Sequence, residues 1–268
     1  LIAIYASVEC FFPDRICTTR AGGISHMKEL QKILGSVRRA VSHYDMLRDG
    51  DSVAIGLSGG KDSLALLVSL AAMRRFFDKK YTLSAVTVLA GFPGQTAAAF
   101  ADVSALCDRW EVPLYIVETE IADIVFGARK EKNPCSLCAN LRRGALCGKC
   151  MEIGANTLAL GHHRDDVVET FMMNLLETGR LGCFMPVTVY PDSGLRVIRP
   201  LIYTEECAIR SLVRVMELPV YRNPCPVDGE TNRAKIEEYL RTYDGGKREL
   251  YQKILGALEH SGLDGWHD

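Results

Sequence analysis

A glycine pair, Gly59 and Gly60, stands between two apolar runs of different length. The run at 52–56 has the length of a buried strand and the run at 64–70 that of an apolar helix, so the pair marks a strand-to-helix turn. Glycine adopts backbone angles that are closed to other residues and lets the chain approach a ligand closely. The helix then offers unpaired N–H groups and the positive end of its dipole, so the sequence predicts an anion-binding turn.

The side chains around the glycines suit a polyphosphate. Ser58 and Ser63 add hydroxyl groups, and Lys61 adds a mobile positive charge. Phosphates would repel the carboxylate of Asp62 unless Mg²⁺ lay between them, so this residue is a predicted metal ligand. The Walker loop is excluded, because it needs four residues between its first glycine and Gly-Lys-Ser/Thr. The alternative is an ordinary glycine-rich turn that opens a helix.

Strands and helices alternate after this turn. Runs typical of strands at 81–89, 114–117 and 156–161 are separated by helical segments, one of them at 96–110. The alternation predicts an α/β fold with a parallel, doubly wound sheet, whose ligand lies at the carboxyl ends of the strands. An amphipathic helix is predicted at 28–44, before the sheet.

The sequence suggests three regions. Residues 1–27 lack the basic start and the cleavage site of a signal peptide, so they are interpreted as a poorly specified N-terminal extension. The main domain is predicted at 28–230, with a hairpin that pairs 187–190 with 195–198. A C-terminal helical tail is predicted at 231–268.

The composition restricts the possible functions. With 48% hydrophobic and 24% charged residues in 268, the chain can bury a large core. Its net charge of -1 argues against a generally basic nucleic-acid coat, although a local basic groove is allowed. No apolar run approaches the ~18 residues of a membrane span, so no membrane partner is expected. The ten cysteines favour metal ligation in a reducing cytoplasm over disulfides.

Three cysteines could act together. Cys135 and Cys138 form a Cys-x-x-Cys pair within reach of one metal centre, and Cys225 offers a third sulfur far downstream. Three thiolates can hold a [4Fe–4S] cluster while leaving one iron open. The pair alone fits a redox pair, structural zinc or two core cysteines equally well.

The predicted strand at 156–161 also ends in polar residues. It runs into Gly161 and His162, followed by Asp165 and Asp166. Because parallel strands meet at their carboxyl ends, these residues are expected to face the same crevice as the glycine turn. Alternatively, one of the two carboxylates caps the helix that follows.

Together these motifs resemble the tRNA 2-thiocytidine synthetases, the TtcA-type branch of the PP-loop (N-type) ATP pyrophosphatase sulfurtransferases. The likeness runs in order from about residue 28 to about residue 243. The motifs that carry it lie at 58–63, 134–138, 141–144, 160–166, 199–201 and 224–225.

The resemblance implies a PP-loop ATPase fold and a set of site residues. The residues that would bind ATP are Ser58, Gly59, Gly60, Lys61, Asp62, Ser63, Gly161 and His162. The residues implied in catalysis are Lys61, Asp62, Arg142 and Asp165, with Asp62 holding Mg²⁺ and Asp165 assisting at the metal. The residues that would hold the [4Fe–4S] cluster are Cys135, Cys138 and Cys225.

The implied reaction is ATP-dependent thiolation of tRNA at cytidine 32 of the anticodon loop. ATP is cleaved between its α and β phosphates to adenylate the C2 carbonyl oxygen, and sulfur then displaces AMP. The implied partners are the tRNA substrate and a sulfur donor, such as a cysteine desulfurase or free sulfide. The protein could be a cytoplasmic homodimer. The basic mouth expected for tRNA consists of Arg129, Lys130, Lys132, Arg142 and Arg143.

Two features depart from the family's pattern. The family has a second Cys-x-x-Cys downstream, whereas this chain has one sulfur there, at Cys225. Cys147 and Cys150 form an extra pair, which could join Cys135 and Cys138 in a Cys₄ zinc knuckle. A continuous helix would separate the two pairs by about 13 Å, too far for one zinc ion.

Three other functions fit part of the sequence. They are thiolation of a tRNA uridine, a cluster-free ligase such as tRNA-lysidine synthetase, and a non-catalytic zinc-stabilised RNA-binding module. The paired cysteines disfavour the ligase, and the phosphate loop disfavours the module.

Overall fold

A six-stranded sheet lies at the centre of the protein. The computed structural model describes residues 20–128, 134–225, 232–245, 249–263 and 265–267. The strands are β1 Asp51–Gly56, β2 Tyr81–Leu89, β3 Leu114–Glu118, β4 Thr157–Ala159, β5 Val187–Val189 and β6 Arg196–Ile198.

The order of the strands places the ligand crevice. It is β3-β2-β1-β4-β6-β5, and every pairing is parallel except that of β5 with β6. The order reverses at β1, which pairs with β2 on one side and with β4 on the other. A crevice therefore opens beyond the carboxyl ends of β1 and β4. The predicted doubly wound sheet is confirmed, and the predicted hairpin forms its antiparallel edge.

Helices cover both faces of the sheet. The α-helices of the described residues are α1 Arg20–His43, α2 Lys61–Met73, α3 Ala101–Arg109, α4 Pro134–Glu152, α5 Arg164–Thr178, α6 Glu206–Val215, α7 Asn232–Tyr243 and α8 Glu249–Glu259. A 3₁₀-helix, Ala97–Phe100, precedes α3, and a π-helix, Asp123–Ala128, follows β3. None of the described helices is long and apolar enough to span a bilayer.

The first helix starts earlier than the sequence pattern predicts. It begins at Arg20 and runs without a break past residue 28. The two predicted tail helices are α7 and α8, and both pack against α5. The division of the chain into three regions stays a prediction.

The core alternates across the sheet. Val53 and Ile55 of β1 contribute to the large core that also contains α1, α2 and α6, whereas Ala54 packs on the other side with Cys150 of α4. This is the period of two that a strand imposes on its side chains. Since both faces of β1 are covered, the apolar run before the glycine turn is continuous.

Candidate nucleotide and cysteine site

The glycine turn has the geometry that its sequence predicts. Gly59 has a φ of 80°, a conformation that favours glycine, and a Cβ there would stand 2.7 Å from the Cβ of Tyr221. Gly60 precedes the first turn of α2 and makes no side-chain capping hydrogen bond among the described residues. The N–H groups at the start of α2 are therefore available to an anion, at the positive end of the helix dipole.

Two serines shape the turn from within. The Gly60 N–H donates to Ser58 Oγ over 3.3 Å, and Ser58 Oγ lies 3.2 Å from Ser63 Oγ. The Ser63 hydroxyl also donates to the Gly60 carbonyl oxygen over 2.9 Å. These bonds hold the loop in shape without a ligand, which reduces the ordering cost of binding phosphate.

The end of β4 touches this loop directly. A Cβ on Gly161 would stand 3.1 Å from both the Asp62 carbonyl carbon and the Ser63 nitrogen. The two strand ends predicted to share a crevice therefore meet, and glycine at 161 is what allows the contact.

We expect Gly161→Ala to disturb the loop. The added methyl group would move the backbone of Asp62 and Ser63 by a few tenths of an ångström, enough to slow an ATP-dependent step by on the order of tenfold. Gly182→Ala is the matched control, because a Cβ there meets nothing within 4 Å. Pyrophosphate release measures the effect, and equal rates in both variants would contradict it.

Lys61 is held between two carboxylates. Its Nζ lies 2.9 Å from Asp62 Oδ2 and 3.0 Å from Glu206 Oε1. Burial disfavours its charge, but hydrogen bonds and charge attraction from Asp62 and Glu206 outweigh burial and raise the pKa of the ammonium. Lys61 therefore stays charged at the mouth of the loop.

Asp62 carries an oxygen suited to a cation. Its Oδ1 is buried, has no hydrogen-bond partner among the described residues, and lies 3.6 Å from His163 Nε2. The Asp166 N–H donates to His163 Nδ1, so Nδ1 is the acceptor nitrogen of the ring, and Nε2 faces Asp62. A buried carboxylate oxygen without a hydrogen-bond partner among the described residues fits the oxygen ligand that Mg²⁺ prefers.

The two neighbouring aspartates point to different places. Asp165 accepts from Arg164 Nε over 3.1 Å and from the Glu206 N–H over 3.3 Å, and it is not among the residues that line the cleft. Asp166 lines the cleft and forms a capping box with His163 at the start of α5. The structure therefore brings Asp166, rather than Asp165, to the loop. The N-cap of α5 is His163, and Asp166 takes part in the cap as the N3 residue, which accepts from the His163 N–H.

The cleft at the carboxyl ends of β1 and β4 has a volume of about 470 Å³. This is within the usual range for a small-molecule site. Its wall on α4 carries Arg142 and Arg143, and its far wall carries His162, Phe184 and Arg199. Burial, followed by the charge of Arg199, lowers the pKa of His162 to about 4, so this imidazole is neutral at physiological pH.

A second cavity, of about 660 Å³, adjoins the first and shares Ser58, Asp62, Val88 and Arg142 with it. Its other wall is the segment Tyr221 to Asn223, which leads to Cys225. Arg142 thus stands where the loop, the cleft and the cysteine segment meet.

The structure brings the three predicted cysteine ligands together. Cys138 and Cys225 pack against the same apolar cluster, and Cys135 lies exposed in the first turn of α4. Burial raises the pKa of the Cys138 thiol, Arg142 lowers it, and the charges of Cys225 and Cys135 raise it again. Three cysteines grouped in this way fit the thiolate ligation of an iron–sulfur cluster.

No three of the described His, Cys, Asp and Glu side chains stand close enough to hold a single metal ion. This finding disfavours a zinc ion, whose ligands all bind one atom. It does not disfavour a [4Fe–4S] cluster, because the ligands of a cluster bind different irons and stand farther apart.

The extra cysteine pair is part of the core. α4 continues past Gly144 and Gly148, and Cys150 is fully buried against β1 and β4 with Cys147 beside it. Burial raises the pKa of Cys150 to about 12, so it stays a neutral thiol. Helix α4 has no break between the two cysteine pairs, so the pairs lie too far apart to share one zinc ion. The structure therefore excludes the zinc-knuckle alternative.

Sequence reasoning missed several residues of the site. They are His163, Phe184, Glu206, Tyr221 and Arg222. His163 could have been found as the neighbour of His162, but no local signal marks Glu206 or Tyr221. Of the expected basic mouth, Arg142 and Arg143 line the cleft, whereas Arg129, Lys130 and Lys132 lie outside the described residues.

Comparison with known proteins places the chain in a family. Residues 27–242 match the PP-loop domain. The tRNA-cytidine(32) 2-sulfurtransferase of Geobacter sulfurreducens is 37% identical over 235 residues, which cover 85% of this chain and 89% of the relative. The enzyme of the same name from Shewanella sediminis is 34% identical, over 88% of this chain and 75% of its own.

A solved structure supports the same conclusion. The U34-tRNA thiolase NcsA from Methanococcus maripaludis, with its [4Fe-4S] cluster, matches with a TM-score of 0.68 and 25% identity, over 88% of this chain and 80% of its own. The chain therefore belongs to the PP-loop family, in the branch of the tRNA-cytidine(32) 2-sulfurtransferases.

Proposed function

We propose that this protein catalyses ATP-dependent 2-thiolation of cytidine 32 in tRNA. One observation carries the proposal: Arg142 lines both cavities beside the phosphate-binding loop, and its charge also acts on Cys138 of the cysteine group. The names of the relatives support cytidine 32 as the target.

The proposed roles follow from the positions of the side chains. The serines, glycines and first-turn N–H groups of the loop bind the ATP phosphates, with Gly161 and His162 at the adjoining strand end. Lys61 and Arg142 neutralise charge as the cytidine C2 oxygen attacks the α-phosphorus and pyrophosphate leaves. A cytidine carbonyl is a poor electrophile, and adenylation makes its oxygen a good leaving group. Sulfur then bonds to C2 as the C2–O bond breaks and AMP departs.

Cys135, Cys138 and Cys225 would hold the [4Fe–4S] cluster. A cluster with three protein thiolates has one iron open, and that iron supplies a place for the sulfur to be transferred. Asp62 would hold Mg²⁺ through Oδ1, which has no hydrogen-bond partner in the part of the chain that the structure describes. Asp165 would act on the metal site only indirectly, through Arg164 and the start of α6, and Asp166 is the carboxylate we assign to the cleft.

The proposed reaction needs a tRNA, a source of sulfur and a reducing compartment. The tRNA contacts Arg142 and Arg143, a cysteine desulfurase or free sulfide supplies the sulfur, and the protein works in the cytoplasm, where thiols stay reduced. The protein also forms a homodimer in this proposal. Thiolation of uridine 34 is the second candidate, because NcsA carries that activity in its name.

The test is a nucleoside assay. Anaerobically prepared protein is given ATP, Mg²⁺, sulfide and unmodified tRNA, and the digested nucleosides are analysed by mass spectrometry. We expect 2-thiocytidine from tRNA with cytidine at position 32 and none after its replacement by uridine. Appearance of 2-thiouridine instead would favour the second candidate, and the absence of any thiolated nucleoside would refute both.

A further inference from the structure

Residues 221–225 connect the nucleotide loop to the cysteine site. At one end, the Tyr221 N–H donates to the Gly59 carbonyl oxygen over 2.9 Å. At the other end, Cys225 packs in the same apolar cluster as Cys138. Four residue steps span at most roughly 14 Å, so the two sites that the segment joins lie close together.

The ring of Tyr221 reaches the loop through Phe100. It packs on the buried ring of Phe100, with centroids 4.2 Å apart. A Cβ on Gly59 would stand 2.7 Å from Tyr221 Cβ and 3.1 Å from Phe100 Cε1. The backbone at Gly59 therefore lies against Tyr221 Cβ and the Phe100 ring, on which the Tyr221 ring packs.

The same segment also forms a wall of the site. Tyr221, Arg222 and Asn223 line the second cavity opposite Gly60 and Lys61. Phosphates bound in the loop would therefore face the segment that ends at Cys225.

We propose that Tyr221 is a positioning residue that couples occupancy of the nucleotide loop to the placement of Cys225. The inference rests on the proposed function, because it takes Cys225 as a cluster ligand. Coupling between two binding sites is reciprocal, so the cluster increases the affinity for ATP by the same factor by which ATP increases retention of the cluster.

The test compares ATP affinity in cluster-loaded and cluster-free protein, titrated anaerobically with ATP and Mg²⁺ in the absence of tRNA. We expect the cluster-loaded protein to bind ATP at least about 5-fold more tightly than the cluster-free protein. In Tyr221→Ala the ratio of the two ATP affinities should fall to about one, whereas Tyr221→Phe should keep it, because the ring and not the hydroxyl group packs on Phe100. Tyr239→Ala, at an exposed tyrosine of α7, is the matched control.

A spectroscopic readout separates coupling from simple loss of structure. ATP should change the visible absorption of the cluster in the parent and in Tyr221→Phe, but not in Tyr221→Ala with equal iron content. If Tyr221→Ala does not fold, Tyr221→Leu keeps an apolar contact with Phe100 and should still lower the ratio. The coupling alone would be overturned if Tyr221→Ala and Tyr221→Leu kept the parent's ratio of ATP affinities. It would also be overturned if a parent protein that thiolates tRNA bound ATP equally well with and without the cluster. A parent without a cluster would overturn the proposed function and the coupling together.

Discussion

Serine in place of Cys135, Cys138 or Cys225 is expected to lower the iron content and reduce tRNA thiolation to background. Each of the three would bind a different iron, and a serine hydroxyl does not ionise as a thiol does. The same result is expected at all three positions, because Cys138 and Cys225 pack against one apolar cluster and Cys135 lies three residues before Cys138 on α4. Iron analysis and mass spectrometry of tRNA nucleosides measure the two effects.

The second Cys-x-x-Cys pair provides the control. Cys147→Ala and Cys150→Ala should keep iron and thiolation, since Cys150 packs in the core beneath the sheet. Removing its buried sulfur should lower the free energy of unfolding by about 1 kcal/mol. A fully active Cys225→Ser, or loss of iron from the variant without Cys147 and Cys150, would contradict the assignment.

Asp62→Asn is expected to reduce pyrophosphate release by about 10²- to 10³-fold while leaving iron bound. The amide keeps the size of the side chain but removes the charge that would hold Mg²⁺, an interaction worth several kcal/mol in the transition state. It also removes one of the two carboxylates that hold Lys61. Pyrophosphate release with saturating ATP and tRNA measures the loss, and iron content shows that the cysteine site is intact.

Asp102→Asn is the control for this change. Asp102 is also an acidic residue in the first turn of a helix, but it is exposed on α3, away from the cleft. The Asp102→Asn variant should release pyrophosphate at the rate of the parent protein. If Asp62→Asn released pyrophosphate at the parent rate, Asp62 would not be a Mg²⁺ ligand.

The local parts of the site were predictable from the sequence. A strand, two glycines and a helix in immediate succession specify the loop, because its φ of 80° at Gly59 and its first-turn N–H groups depend on adjacent residues. The parallel sheet followed from the alternation of strands and helices, and the crevice beyond β1 and β4 followed from the sheet. The start of α1 was missed because its first turns lack a sharp apolar repeat.

The tertiary structure alone decided which side chains reach the cleft. Asp165 and Asp166 are neighbours in the sequence but point about 100° apart on α5, so the packing of that helix selects Asp166. Glu206 and Tyr221 come from distant parts of the chain, and no local pattern relates them to the loop that they contact. The sequence by itself determined the chemistry of the loop and the cysteines. The packing of α5, α6 and the 221–225 segment decided how those groups face one another, because contacts between distant segments depend on the whole fold.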